Sequence, residues 1–177
     1  MKIGIVRHFK VDYHPKKMMN SKEFQQYVID YDNAEIIKNE IDLSSSKWDK
    51  CYCSDLKRAI ITAKSVYSEE LEVTDLLREV QMYPIIDLNI KIPSFLWSIA
   101  SRIAWKLDHH SQMETKSNTI MRAKNFISKI DINKDRDILI VSHGFFLLTL
   151  VEELKSLGFR GDIPTRMGNG CLYILEK

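Results

Sequence analysis

Apolar residues gather in two short runs, each followed at once by polar or charged side chains. Residues 2–6 (KIGIV) and 137–141 (DILIV) are rich in β-branched residues and lack polar alternation. That pattern predicts strands buried on both faces of a parallel sheet. Residues 50–53 (KCYC) and 172–175 (LYIL) repeat it more weakly and predict two further strands. Elsewhere the period is helical. Leu56, Ala59, Ile60, Ala63 and Val66 fall on one helix face, with Ser54 or Asp55 as the N-cap. A second helix is expected from Phe145 to Leu157, stopped by Gly158 at the C′ position. Fainter helical patterns cover 21–41 and 115–130. Strands alternating with helices predict an α/β fold, one three-layer domain over 1–177 with a mainly parallel sheet and helices on both faces. Residues 84–112 interrupt the alternation, with Pro84, Pro93, Trp97 and Trp105 in a loop plus an amphipathic helix. This segment reads either as helix packed on the core or as a cap over a pocket, because insertions at strand ends shape ligand sites in such sheets.

Composition narrows the function classes. With 45% apolar and 28% charged residues the chain can build a core, so disorder is not the expectation. A net charge of only +2 lacks the basic excess of a nucleic-acid binder. The longest apolar stretch, around Ile92 to Leu107, is broken by Ser, Arg and Lys and falls short of the roughly 20 apolar residues of a membrane span. Neither nucleic acid nor membrane is therefore an expected partner. The N-terminal MKIGIVRH reads as a strand rather than an export signal. Three cysteines, Cys51, Cys53 and Cys171, are an odd number, best read as reduced thiols in a cytoplasmic protein.

The polar residues that follow the apolar runs carry the candidate chemistry. Arg7-His8 follows the first strand and Ser142-His143-Gly144 follows the run 138–141. Ser54 to Ala59 spans a strand-to-helix junction, and Leu77-Arg78-Glu79 follows a short strand-like stretch. In a parallel sheet the carboxyl ends of strands share one edge with helix N-termini. Arg58, in a first helical turn, tilts back toward that edge. Arg7 and Arg58 would offer permanently charged forks that match phosphate oxygens. Their charge disfavours imidazolium, keeping His8 neutral and nucleophilic. His143 would add a donor for charge developing on a transferred group. Glu79 is the candidate general acid, a task toward which an apolar surround would raise its pKa. The spacing by itself leaves a plain anion site open.

This ordered set resembles the histidine phosphatase superfamily, the phosphoglycerate-mutase-like proteins. Their pattern is RHG after the first strand, S-x-L-x-R-A-x-x-T-A at a helix start, L-x-E, and a late HG. Here these stand as Arg7-His8-Phe9, Ser54 to Ala63, Leu77-Arg78-Glu79 and His143-Gly144, a resemblance covering most of the chain outside 84–112. It implies that His8 is the phosphorylated nucleophile, that Arg7, Arg58 and His143 form the phosphate pocket, and that Glu79 donates the proton. It also implies no cofactor. Two departures stand out. Phe9 replaces the glycine, and Val80-Gln81-Met82-Tyr83-Pro84 stands where a Gly- and Trp-bearing continuation is usual.

The expected function is a phosphomonoesterase working through a phosphohistidine on His8, without a metal. Its substrate would be a small-molecule phosphate ester or a phosphoprotein. A mutase-type phosphotransferase and a catalytically weak phospho-ligand-binding module are the alternatives. Phe9, Lys10 and Arg102 are candidates for touching the rest of the substrate, although Lys10, with Lys16 and Lys17, also fits a solvated loop. His14, His109 and His110 lack the spacing of a metal site. Nothing in the sequence indicates an oligomeric state.

Overall fold

The computed structural model describes residues 1–45, 47–130 and 136–177. Contacts divide them into two compact units: 1–10, 36–79 and 120–177 form the first, and 11–35 and 80–119 the second.

The first unit holds the sheet. Along the chain its strands are β1 (Lys2–Arg7), β5 (Lys50–Ser54), β6 (Leu71–Thr74), β8 (Ile138–Ser142) and β9 (Leu172–Glu176). Between β1 and β5 lie the two-residue strands β2 (Lys10–Val11), β3 (Met18–Met19) and β4 (Ile36–Ile37), and β7 (Ile92–Pro93) follows β6. The sheet order is β6-β5-β8-β1-β9. The first four run parallel and β9 closes the edge antiparallel to β1. This is the mainly parallel α/β sheet expected from the apolar runs.

Alternation sorts the two faces. Val6, Leu139, Val141, Cys51 and Cys53 share one face and pack with Trp48 and with Ala59 and Ala63 of α2 (Lys57–Val66). The other face presents Tyr52 edge-on to Phe126 of α4 (Lys116–Lys129). Also in this unit, α5 (Gly144–Ser156) buries Phe146, Leu147, Leu150, Val151 and Leu154. Full burial of each such side chain contributes about 1.5–3 kcal/mol. Gly158, at φ +98, ends α5 in the left-handed conformation expected of a C′ glycine.

The second unit is built on α1 (Ser21–Asn33) and α3 (Ser94–Lys106). Asn20 and Glu23 form a reciprocal capping box at the start of α1. The helix stops at Asn33, short of the expected 41, and β4 follows. Met19, Phe24 and Trp97 make the core, with the Trp97 indole donating to the Met19 carbonyl at 2.8 Å. Segment 84–112 contains the expected helix: α3 buries Trp97, Ser101, Ala104 and Trp105 and leaves Phe95, Ile99, Ile103 and Lys106 exposed. No described helix is long and apolar enough to cross a membrane.

Candidate active site

Parallel pairing delivers the two histidines to one place. Arg7 of β1 lies opposite Ser142 of β8, so His8 and His143 are the next residues of adjacent strands. The His8 amide continues the ladder by donating to the Ser142 carbonyl at 2.9 Å. The ring centroids are 5.0 Å apart. Arg58, in the first turn of α2, tilts back between them, its Nε 3.2 Å from both His8 Nε2 and His143 Nδ1. His8, Arg58 and His143 are only 2%, 3% and 0% exposed.

These contacts define the tautomers. An arginine Nε–H only donates, so the ring nitrogens facing it must accept. His8 therefore carries its proton on Nδ1, donated to the Phe9 carbonyl at 2.6 Å. His143 carries its proton on Nε2, donated to Ser54 Oγ at 2.8 Å. Burial first, and Arg58 second, push the His8 pKa down from 6.5 to about 3, with Arg7 acting in the same direction and the Phe9 carbonyl opposing. The same two leading causes hold His143 well below its ordinary value. Both rings are neutral, and His8 Nε2 keeps a lone pair toward the arginine. An entering phosphate dianion would act against both shifts.

Arg7 has one guanidinium nitrogen satisfied within the fold and another without an acceptor among the described residues. Its Nη1 donates to the Met167 carbonyl at 3.0 Å, whereas the unmet donor is the buried Nε. A buried donor left unmet costs about 1–3 kcal/mol, which an anionic oxygen would offset. Gly144 makes room for this guanidinium: a Cβ there would lie 3.0 Å from Arg7 Cζ and Nε. A larger residue in place of Gly144 would have to displace the Arg7 side chain by a few tenths of an ångström.

Glu79 sits differently from expectation. Its carboxylate accepts from the Phe146 amide at 2.9 Å and the Phe145 amide at 3.2 Å, capping α5 in place of a side chain from His143. A carboxylate there also complements the helix dipole. The turn that carries it is held by Ser142 Oγ, donating to Leu77 O at 2.6 Å, and by Arg122. Arg122 Nη1 donates to the carbonyls of Leu76 and Arg78 at 2.9 and 2.8 Å, and its guanidinium lies 4.3 Å over the Phe146 ring.

Residues 34–177 match the histidine phosphatase superfamily (branch 1). The chain belongs to that superfamily. Solved structures share its fold at low identity. A mycobacterial glucosyl-3-phosphoglycerate phosphatase superimposes with a TM-score of 0.60 at 18% identity, over 99% of this chain and 89% of that one. The α-ribazole phosphatase of Shigella flexneri gives 0.60 at 21%, over 98% and 89%. The phosphoserine phosphatase of Entamoeba histolytica, solved with 3-phosphoglyceric acid, gives 0.57 at 15%, over 98% and 89%. No curated protein sequence matches the chain.

Against the superfamily pattern, the other candidates fall in varied places. Ser54 and Asp55 do not cap α2, whose N-cap is Leu56 without a side-chain bond. Ser54 serves His143 instead, and Asp55 pairs with Arg78, accepting from its Nε at 2.7 Å. Phe9 is buried, its amide donating to Thr62 Oγ1 at 2.9 Å. Outside glycine only Asp108 among the described residues has a positive φ, so Phe9 occupies the usual glycine position without backbone strain. Lys10 is exposed. Arg102 lies in the second unit, where its Nη1 donates to the Val80 carbonyl at 2.8 Å. Cys51 and Cys53 are buried free thiols, and burial pushes Cys53 up to about 11. Among the described residues no three His, Cys, Asp or Glu side chains come together as metal ligands. Asn169 and Arg122 escape the sequence reading. The first shows there only as half of an Asn-Gly turn signal, and the second as one cation on a helix.

Proposed function

We propose that the chain hydrolyses phosphate monoesters, small-molecule or protein-borne, through a phosphohistidine on His8 and without a metal ion. The observation that carries this reading is the His8 tautomer. Nδ1–H is committed to a carbonyl, and the unprotonated Nε2 stands beside Arg58 in a pocket where burial keeps the ring neutral. A neutral imidazole can attack phosphorus, and an imidazolium cannot. The phosphatase names of the structural relatives support ester hydrolysis as the reaction.

In the first step His8 Nε2 forms a bond to phosphorus while the phosphorus–oxygen bond to the leaving group breaks. Arg7 and Arg58 neutralise the equatorial oxygens, and the orphaned Arg7 Nε gains its acceptor. His143, made more basic by the dianion, supplies a further donor. Glu79, which must first take up a proton from water or from a monoanionic ester, gives it to the departing alkoxide. In the second step water attacks phosphorus, Glu79 recovers a proton from it, and inorganic phosphate leaves with His8 restored. The positive charge near phosphorus comes from the two guanidiniums, which is why a divalent ion is not invoked.

The experiment is mass spectrometry on protein dialysed against a chelator, supplied with an aryl phosphate and quenched at alkaline pH during turnover. A phosphoryl group on His8, absent in His8→Ala, is the expected result. A label on Ser54 or a cysteine would overturn the mechanism, as would turnover without any adduct. Activity that returns only with added zinc or magnesium would overturn the metal-free part alone.

A further inference from the structure

Beyond the strand ladder and Arg58, the restraints on His8 lead to the peptide groups on either side of Phe9. His8 Nδ1–H donates to the Phe9 carbonyl, so the plane of that carbonyl decides which ring nitrogen is protonated and where Nε2 points. Thr62 Oγ1 accepts from the Phe9 amide at 2.9 Å. From the other side comes Asn169, just before β9. Its Nδ2 donates to the His8 carbonyl at 2.7 Å and lies 3.4 Å from the Phe9 carbonyl. Both neighbours are acceptors, so the amide must present its NH2 group to them. One side-chain fork thus spans both peptide planes that flank Phe9.

The turn that bears Asn169 is itself tied to the end of β1. Asn169 pairs with Arg7 as an isolated parallel bridge, and the Gly170 amide donates to the Arg7 carbonyl at 2.8 Å. Met167 in the same turn receives Arg7 Nη1. A second asparagine, Asn39, also holds that turn, its Nδ2 donating to the Gly170 carbonyl at 2.9 Å. The turn therefore has two asparagine anchors, and one of them reaches the nucleophile's backbone.

We infer that Asn169 is a positioning residue for the nucleophile: its amide fork orients the Phe9 carbonyl and thereby holds His8 in the Nδ1–H tautomer with Nε2 unprotonated. This inference rests on the phosphohistidine reading for its kinetic consequence but not for its structural one. A turn-closing role would demand only that the turn be stable, and Asn39 supplies that comparison within the same turn.

The test pairs nitrogen NMR with kinetics on the full chain. Long-range 15N–1H spectra of the imidazoles report the tautomer of His8 whatever reaction the protein performs. Wild type should show a protonated Nδ1 and a bare Nε2. Asn169→Ala, and Asn169→Asp as the isosteric variant without the donor, should shift His8 toward a mixture with the Nε2–H form. With p-nitrophenyl phosphate as the probe, kcat should fall about 10- to 100-fold in Asn169→Ala while KM stays within about twofold. Asn39→Ala should lower the melting temperature yet keep the wild-type tautomer and kcat. An unchanged His8 spectrum in both Asn169 variants would overturn the inference. So would an equal shift in Asn39→Ala, or variants at 169 that fail to fold, since each assigns the residue to the turn alone. Should wild type lack turnover altogether, the phosphatase reading fails while the spectra still decide the role of Asn169.

Discussion

In the first unit His8, Ser54, Arg58, Ser142 and His143 are buried together at strand ends and a helix start, whereas the second unit buries Ser21, Ser101, Gln112 and Thr119 at scattered places. The second set is self-sufficient. Ser101 Oγ donates to the Trp97 carbonyl, Gln112 exchanges bonds with both backbone groups of Tyr83, and Thr119 Oγ1 accepts the Trp105 indole and donates to Thr115 O. These bonds tie helices and loops of the unit to one another. The first set is left unfinished. One Arg58 Nε–H is shared by two imidazoles, and Arg7 Nε has no acceptor among the described residues. Buried polarity that is complete serves the fold, and a buried donor left without an acceptor is one that a bound anion would complete.

The hardest test of this comparison is at Glu79, which is complete in structure but is assigned chemistry. If it is the proton donor, Glu79→Ala should lose about 10²–10⁴-fold in kcat on alkyl phosphates and far less on p-nitrophenyl phosphate, whose leaving group needs no proton. Equal losses on both esters would make it a cap for α5 and nothing more.

Trp97 probes the other unit. Trp97→Ala removes a buried indole and its bond to Met19 O, and should cost about 3–5 kcal/mol in urea unfolding. Phosphate release per folded molecule should stay near wild type. A large loss of kcat in the folded fraction would mean that the second unit's packing serves more than stability.

Protonation sharpens the contrast further. His8 and His143 are depressed in the folded state, so below their unfolded value the unfolded chain binds more protons than the native one. Stability should therefore fall as pH drops below 6.5, for His8 at up to ~1.4 kcal/mol per pH unit down to about 3, with His143 acting in the same direction. Urea midpoints across pH 4–7 check this, and His143→Gln should flatten the slope by one histidine's share. An unchanged slope would mean that the ring is not buried neutral.

The smallest effect is expected at the Asp55–Arg78 pair, which has one foot in the site's sequence motif but an exposed arginine. Asp55→Asn should change stability by at most about 1 kcal/mol. A loss of activity beyond a few-fold would show that the pair holds the Glu79 turn.

Four strands and the two stronger helices were legible in the chain because their signals are local: β-branched runs, helical spacing and a C′ glycine. The meeting of His8, Arg58 and His143 was legible too, since parallel strands can only present their carboxyl ends to one edge. The resemblance then named the roles. Three features were not legible. The capping of α2 went otherwise because Ser54 and Asp55 found better partners in His143 and Arg78 than in their own helix. The faint helical pattern over 21–41 broke at Asn33, where the chain leaves α1 and turns extended at Ile36. Glu79 met two backbone amides rather than apolar side chains, because α5 starts beside it.

Spacing along the chain determined which residues stand at strand ends and which face each helix buries, for both follow from periods of two and 3.6 residues. It could not determine protons. Which nitrogen of His8 and of His143 bears hydrogen depends on a carbonyl one residue away, a serine 89 positions earlier in the chain and an arginine that reaches both rings. Asn169 reaches the His8 carbonyl across 161 positions. Such contacts cost chain entropy to form and leave no periodic trace, so only the folded structure assembles them.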